Sequence, residues 1–279
     1  MKKLVSKKEI EKFEVELFLS TLCDIYGIDL HGYTKASLTR RLHVLVEKHS
    51  KNNISELVPL LIHQPQFHLD VLDGLTVQYS SLFRDSRFFK KLKKKIFPYL
   101  QTFPEATIWI AGCANGEEVF SVLIMLKELN LLHKIKIYAT DINPKALEIA
   151  ASGVLSKGIS SVDIHNYNKS GGLYSLSDYF VMGYGKYKLK DELLSHVIFK
   201  EHNLAQDEAF VQAQFILCRN VMIYFSHELQ EKVVKLLDSS LVVNGYLGIG
   251  MEESLEFLQS GKNYKQLKKE ISIYKKIHT

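Results

Sequence analysis

At 279 residues, with 46% apolar and 24% charged residues, the chain has the balance of an ordinary globular protein and enough length to bury a sizeable core. Its net charge of +5 is uneven: residues 1–100 hold 17 Lys/Arg against 11 Asp/Glu, the remainder 19 against 20, so an acidic macromolecular partner is expected at the N-terminal third. No run approaches the roughly 18 apolar residues of a membrane helix, and Met1–Glu16 carries charges without an apolar run of signal-peptide length, so neither anchor nor leader is expected.

Residues 1–90 read as helical. Leu17, Leu19, Leu22 and Ile25, then Leu38, Leu42, Leu45 and Val46, recur at spacings of three and four, with Pro59, Pro65 and Asp73-Gly74 as breaks. Lys35, Arg40 and Arg41 stand beside the second stripe. The lysines of Lys90–Lys95 read as a solvated helix face. From about residue 106 the period changes. Thr107–Ala111 reads as a buried strand, followed by Gly112-x-x-x-Gly116 and an apolar helix, Val119 to Leu129. A second strand from Ile135 ends at Asp141, and a helix follows from Pro144 to Ala151 with Pro in its first turn. Strand–helix–strand–helix is the unit of a parallel sheet with helices on both faces. Between Ser160 and Glu201 the pattern breaks into loops plus a small antiparallel insertion. The sheet resumes at Val197 and at Phe215, with a helix over Ser226–Ser239 and strands at Tyr246 and Ile271. Cys23, Cys113 and Cys218, scattered and without a CxxC, read as reduced thiols of a cytoplasmic protein, and no metal site is expected.

Four places carry chemistry, one of them Ser80-Ser-Leu-Phe-Arg84-Asp85 before the sheet, where an aromatic–Arg pair at a domain junction either packs with an exposed charge or sets a guanidinium over the ligand cleft. Phe215–Phe225 sets Arg219-Asn220 between two apolar runs, at the strand end where open parallel sheets bind ligands, so Asn220 and Tyr224 are candidates to face a small molecule. Gly112 and Gly116 let the backbone approach a nucleotide-like ligand, but the loop is not G-x-G-x-x-G, and Glu117-Glu118 would repel a pyrophosphate. A cationic, phosphate-free donor such as S-adenosylmethionine fits better; acids simply stabilising a helix N-terminus is the other reading of this pair. Asp141, ending the second strand, is placed to accept ribose hydroxyls, the alternative being a cap on the next helix.

Together these stretches resemble the CheR-type protein-glutamate O-methyltransferases, which methylate chemotaxis receptors. The resemblance spans nearly the whole chain: Tyr33-x-Lys35, Arg40-Arg41-Leu42, Ser80-x-x-Phe83-Arg84-Asp85, Ala111-Gly-Cys-x-x-Gly-Glu-Glu118, Ala139-Thr-Asp-Ile142, Ala146-Leu-Glu148, Asn203-Leu204, Cys218-Arg-Asn-Val-Met-Ile-Tyr-Phe225 and Gly245-Tyr-Leu247. It implies an α/β fold: a Rossmann-like S-adenosylmethionine-dependent methyltransferase domain (91–279) with a small antiparallel β-subdomain inserted at about 175–200, preceded by an all-α N-terminal domain (1–90) that docks substrate. Residue by residue it implies that Ser80, Arg84, Gly112, Glu117, Asp141, Asn203, Leu204 and Asn220 line the cofactor site. Arg84 and Tyr224 would lie nearest the transferring methyl and act as catalytic residues. Lys35, Arg40 and Arg41 would meet the acidic methylation helices of a receptor. S-adenosylhomocysteine would be the product. The implied protein is a cytoplasmic monomer reaching the membrane only through the receptor. Some members hold a receptor's C-terminal peptide as an added strand on the β-subdomain, and Gly183 and Gly185 leave room for such an edge.

The chain departs from the family pattern at Ala114-Asn115 and Val119-Phe120 in the glycine loop, at Gln78 and Leu82 before Arg84, and at Gln214 before the Cys-Arg-Asn strand. These leave the substrate more open than the activity, so a protein carboxylate outside chemotaxis stands as an alternative. Retention of Arg84 and Tyr224 argues against a silent cofactor-binding scaffold. The small charge excess and the lack of interleaved aromatics argue against nucleic acid. A glutamate carboxylate is already ionised at neutral pH, its reference pKa being about 4.3. The transfer therefore needs alignment and dryness rather than a general base.

Overall fold

The computed structural model describes residues 6–78 and 80–278; residues 1–5 of the N-terminal reading and Tyr79 of the Gln78–Arg84 motif lie outside them. The chain divides into two compact units, one of residues 1–77 with 224–229, the other of 78–223 with 230–279.

The first unit holds α1 (Lys7–Tyr26), α2 (Lys35–Lys48), α3 (Val58–His63) and α4 (Phe67–Leu75). Ser6 and Glu9 form a capping box at the start of α1, and Gly27 closes it at φ +69°. Its buried face runs through Val15, Phe18, Leu19 and Leu22, a strict three-and-four spacing that leaves Leu17 off it; Leu17 and, in the last turn, Ile25 are exposed. Leu38, Leu42, Leu45 and Val46 of α2 are buried as expected.

The second unit begins with α5 (Ser86–Lys91) and α6 (Phe97–Gln101), joined by a π-helical turn over Leu92–Ile96. Residues 78–90, grouped above with the helical section, belong to this unit because Phe83, Phe88 and Phe89 enter its core. Of the Lys90–Lys95 run, Lys93 departs from a solvated face, its Nζ lying 3.4 Å from Glu128 Oε2.

The unit continues as β1 (Ala106–Ala111), α7 (Glu117–Glu128), β2 (Ile135–Asp141), α8 (Pro144–Ser152) and α9 (Ser161–Ser170). There follow β3 (Phe180–Gly183), β4 (Lys186–Leu189), α10 (Asp191–Leu194), β5 (Val197–Glu201), β6 (Ala213–Cys218), α11 (His227–Ser240), β7 (Leu241–Ile249), β8 (Tyr264–Lys268) and β9 (Ile271–Lys276); the first residues of α11 are counted with the helical unit. Seven strands form one sheet in the order β5-β2-β1-β6-β7-β9-β8. The first five run parallel, and β9 pairs antiparallel with both β7 and β8. The central strands are mostly apolar and buried, with Ile108 opposite Ile137 and Phe215. The hairpin β3–β4 is a separate two-stranded antiparallel sheet. It stands where the Gly-rich break announced an insertion.

One segment read as loop is a helix, α9. Its signal was present: Ser160 accepts from the Asp163 backbone N–H while Asp163 Oδ2 accepts from the Ser160 N–H at 2.9 Å, a reciprocal cap with Asp in place of the usual Glu. Strand β8 was also missed.

Candidate functional site

Every parallel strand from β5 to β6 ends on the same edge, and the expected ligand residues follow those ends: Gly112 after β1, Asp141 ending β2, Asn203 and Leu204 after β5, Asn220 after β6. The β1–α7 loop owes its shape to positive φ at Gly112 (+72°), Ala114 (+47°) and Gly116 (+96°). A Cβ on Gly112 would stand 2.5 Å from Val221 Cγ2, so glycine is required there for space as well as for φ.

Asp141 braces this loop. Its Oδ2 accepts from Ala114 N–H at 2.9 Å and Oδ1 from Asn143 N–H at 3.0 Å. Burial raises its pKa, and the backbone N–H donors oppose the rise. It is not the cap of α8: Asn143 fills that role, its Oδ1 accepting from Lys145 N–H at 3.0 Å. Each Asp141 oxygen has a second lone pair to offer a ligand hydroxyl.

Glu117 and Glu118, neighbours at the start of α7, have different surroundings. Glu118 is ion-paired to Arg219, the arginine of the Cys-Arg-Asn strand end. Arg219 also pairs with Asp85 Oδ2 at 2.6 Å and lies over the Phe88 ring, 4.1 Å from its centroid. Glu117 is buried, its Oε2 lacks a hydrogen-bond partner, and burial raises its pKa. Nearby Asn115 donates from Nδ2 to the Gln78 carbonyl at 3.2 Å and keeps a buried, unpartnered Oδ1. Both line a cavity of about 560 Å³ with Gln78, Ser80, Lys157 and Asp163. Buried acceptors left open are costly unless a ligand donor fills them. The open acceptors suit a ligand that carries N–H or O–H donors.

Arg84 sits between two left-handed residues, Phe83 (φ +54°) and Asp85 (φ +62°), a conformation costly for a bulky side chain and held from several sides. Leu82 N–H donates to Asp163 Oδ1 at 2.9 Å and Phe83 N–H to Ser121 Oγ at 2.9 Å. Ser121 Oγ in turn donates to the Glu117 carbonyl at 2.7 Å. The Arg84 backbone carbonyl accepts from Arg219, while the guanidinium of this half-buried residue has no carboxylate partner among the described residues.

On the far side of the edge, Asn220 adopts φ +60°. Glu253, just beyond β7, holds the turn: its carboxylate accepts from the N–H groups of Asn220 (3.0 Å), Val221 (3.0 Å), Ile223 (3.2 Å) and Gly250 (2.5 Å). Asn203 is occupied within its own turn, donating from Nδ2 to Gln206 Oε1 and accepting at Oδ1 from Ala205 N–H at 2.9 Å; Leu204 is buried.

Of the expected cofactor residues, then, Ser80 and Glu117 line the cavity. Gly112, Asp141, Asn203, Leu204 and Asn220 follow the strand ends, outside the cavity lining, as is Arg84 on its loop. Tyr224, Lys35, Arg40 and Arg41 belong to the helical unit. There Lys35 Nζ pairs with Glu16 Oε2 at 3.0 Å and Arg40 is exposed. Sequence reasoning missed Asp163 and Glu253 and left Arg219 without its partners. Only Asp163 left a trace, in the capping spacing with Ser160. The departure Gln214 has a structural account, its Oε1 accepting from Thr107 N–H at 2.6 Å between β6 and β1.

Residues 78–273 match the family described as CheR methyltransferase, SAM binding domain, and residues 14–76 the family described as CheR methyltransferase, all-alpha domain. A Pseudomonas putida protein named Cher3 is 34% identical over 263 residues, covering 94% of this chain and 96% of its own. A chemotaxis protein methyltransferase of Borreliella burgdorferi is 30% identical over 261 residues, covering 88% and 89%. One of the same name from Vibrio parahaemolyticus is 30% identical over 265 residues, covering 90% of each chain. The fold and these matches agree, and the chain belongs to the CheR family of S-adenosylmethionine-dependent methyltransferases.

Proposed function

We propose that the chain methylates glutamate side-chain carboxylates of chemotaxis receptors, forming methyl esters, as a cytoplasmic monomer that meets the membrane only through its substrate. The observation that carries this reading is Arg84: the guanidinium of a half-buried residue on a doubly left-handed loop, without a carboxylate partner among the described residues, suits an incoming carboxylate.

S-adenosylmethionine supplies an electrophilic methyl group on a sulfonium. Glu117 and Asn115 receive its cationic and donor groups, Asp141 its ribose hydroxyls, and Ser80, Asn203, Leu204 and Asn220 complete its surroundings. Arg84 orients the substrate carboxylate by charge-assisted hydrogen bonds, and Tyr224 is assigned a catalytic role in the transfer. An arginine that gripped this carboxylate tightly would stabilise the ground state, because the charge fades as the ester forms. Arg84 is therefore a positioning group more than a charge stabiliser.

The helical unit is the docking part, with exposed Arg40 the leading cation for acidic methylation helices. The hairpin offers a second contact. The outer edge of β4 is engaged by residues 153–155 through Leu155 N–H to the Tyr187 carbonyl and Leu189 N–H to the Gly153 carbonyl. β3 exposes Val181 and Met182, so an added receptor peptide would pair along β3. A second reading, methylation of a protein carboxylate outside chemotaxis, is favoured by Gln78 and Leu82 standing at the Arg84 loop.

Incubation with radiolabelled S-adenosylmethionine and receptor-containing membranes tests the proposal. Base-labile label on a large membrane protein is expected; label that survives alkali, or label only on soluble proteins, would overturn it.

A further inference from the structure

Arg41 is grouped by sequence with the docking cations, yet its guanidinium is turned to a different neighbour. Its Cζ lies 5.5 Å from the centroid of the Tyr224 ring. Its Nη1 donates to the Thr76 carbonyl and its Nε to Ser37 Oγ, each at 3.5 Å. No carboxylate pairs with it among the described residues, whereas Lys35 on the same helix has Glu16.

The main chain around Tyr224 is fixed by the same helical unit. Thr34 N–H donates to the Tyr224 carbonyl at 2.8 Å and Ser226 N–H to the Gly32 carbonyl at 2.7 Å. Tyr33 and Phe225 form an isolated antiparallel bridge, and their rings meet edge-on at 4.8 Å. Backbone clamps fix where the Tyr224 Cα stands but not which way its ring turns. Among the described residues the charged group over the ring is Arg41, and a guanidinium over an aromatic face is attractive without a counter-ion.

We propose that Arg41 is a positioning residue that holds the Tyr224 ring, and so its phenol, in the orientation methyl transfer uses, rather than a residue that docks substrate. The inference rests on the role assigned to Tyr224 above.

The test uses the full chain with ring-labelled tyrosine, read by NMR, alongside steady-state kinetics on receptor-containing membranes. The Tyr224 signal is identified by its absence in Tyr224→Phe. Arg41→Ala is expected to move or broaden that signal and to lower kcat roughly tenfold, with the substrate KM and its salt dependence unchanged. Arg41→Lys, which keeps stem and charge but loses the planar stack, is expected to fall between. Arg40→Ala should do the reverse, raising KM and flattening its salt dependence while leaving the Tyr224 signal in place. Adding Arg41→Ala to Tyr224→Phe should cost nothing further.

An unmoved Tyr224 signal in both Arg41 variants would overturn the inference. So would a raised KM with kcat intact. A wild-type rate for Tyr224→Phe would instead remove Tyr224 from the reaction, and the NMR signal would still decide whether Arg41 holds the ring.

Discussion

Glu117 carries the sharpest residue-level consequence. Its carboxyl is buried, one oxygen is unpartnered, and burial lifts its pKa above an ordinary value of 4.5. The protonated form is neutral and holds a cation poorly. Affinity for S-adenosylmethionine should therefore fall as pH drops through this raised pKa, earlier than an ordinary glutamate would dictate. Calorimetry across pH should show that fall in the wild type and a smaller one, left to Asp141, in Glu117→Gln; equal pH profiles would exclude Glu117 from the cation's site. Arg84→Lys should lose most of kcat, because a point charge cannot make the paired contacts of a guanidinium, with cofactor affinity less affected. Stopped-flow or steady-state assays showing an unchanged kcat would remove Arg84. Asp141 could be picked out from sequence as an acid ending a strand, Glu117 as an acid opening a helix after a glycine-rich turn, and Arg84 from its aromatic–arginine motif and the family resemblance. Glu253 could not: it lies more than thirty residues beyond Asn220, and only the folded register of β7 brings its carboxylate under that turn.

At the level of elements, the turn after β6 depends on that single carboxylate. Removing it leaves four N–H groups to find new partners, some of them buried. Glu253→Ala should cost about 3 kcal/mol of stability, measurable by urea unfolding, and should impair cofactor binding through Asn220. A loss within error of zero would mean that water replaces the carboxylate without penalty. The parallel strands and α7 were legible because a fully buried strand and a buried helix show as unbroken apolar runs. The helix α9 was not: with Val162 and Ile164 exposed and few apolar positions buried, its periodicity is weak. What holds it is long-range: the buried Tyr167 ring meets Phe83 edge-on at 5.0 Å, and its hydroxyl donates to Glu128 at 2.5 Å, with Tyr179 donating to the same oxygen at 2.9 Å. Contacts of that span leave no local pattern in the chain.

On the scale of the whole molecule, the hydroxyls of Tyr99, Tyr167, Tyr179, Tyr246 and Tyr264 all have pKa values raised above 10.0, in each case chiefly by burial. Their folded values exceed their unfolded ones. Their contribution to stability is thus intact below pH 10 and is lost as pH climbs beyond it, when the unfolded chain ionises first. Thermal unfolding followed from pH 8 to 11 should show Tm holding and then dropping; a Tm indifferent to pH in this range would contradict the assignment. No helix among the described residues is long and apolar enough to cross a membrane. The charge excess of the first hundred residues was readable at once. The separate employment of Lys35, Arg40 and Arg41, three cations on one short helix, was not, because their partners come from α1 and from Tyr224.

The most direct measurement is mass spectrometric mapping of a receptor's cytoplasmic fragment after incubation with the enzyme and S-adenosylmethionine. Methyl esters confined to glutamate side chains, formed far more slowly with Arg84→Lys, are the predicted result. Methyl groups on nitrogen, or a fragment left unmodified by an enzyme that still binds the cofactor, would contradict the account.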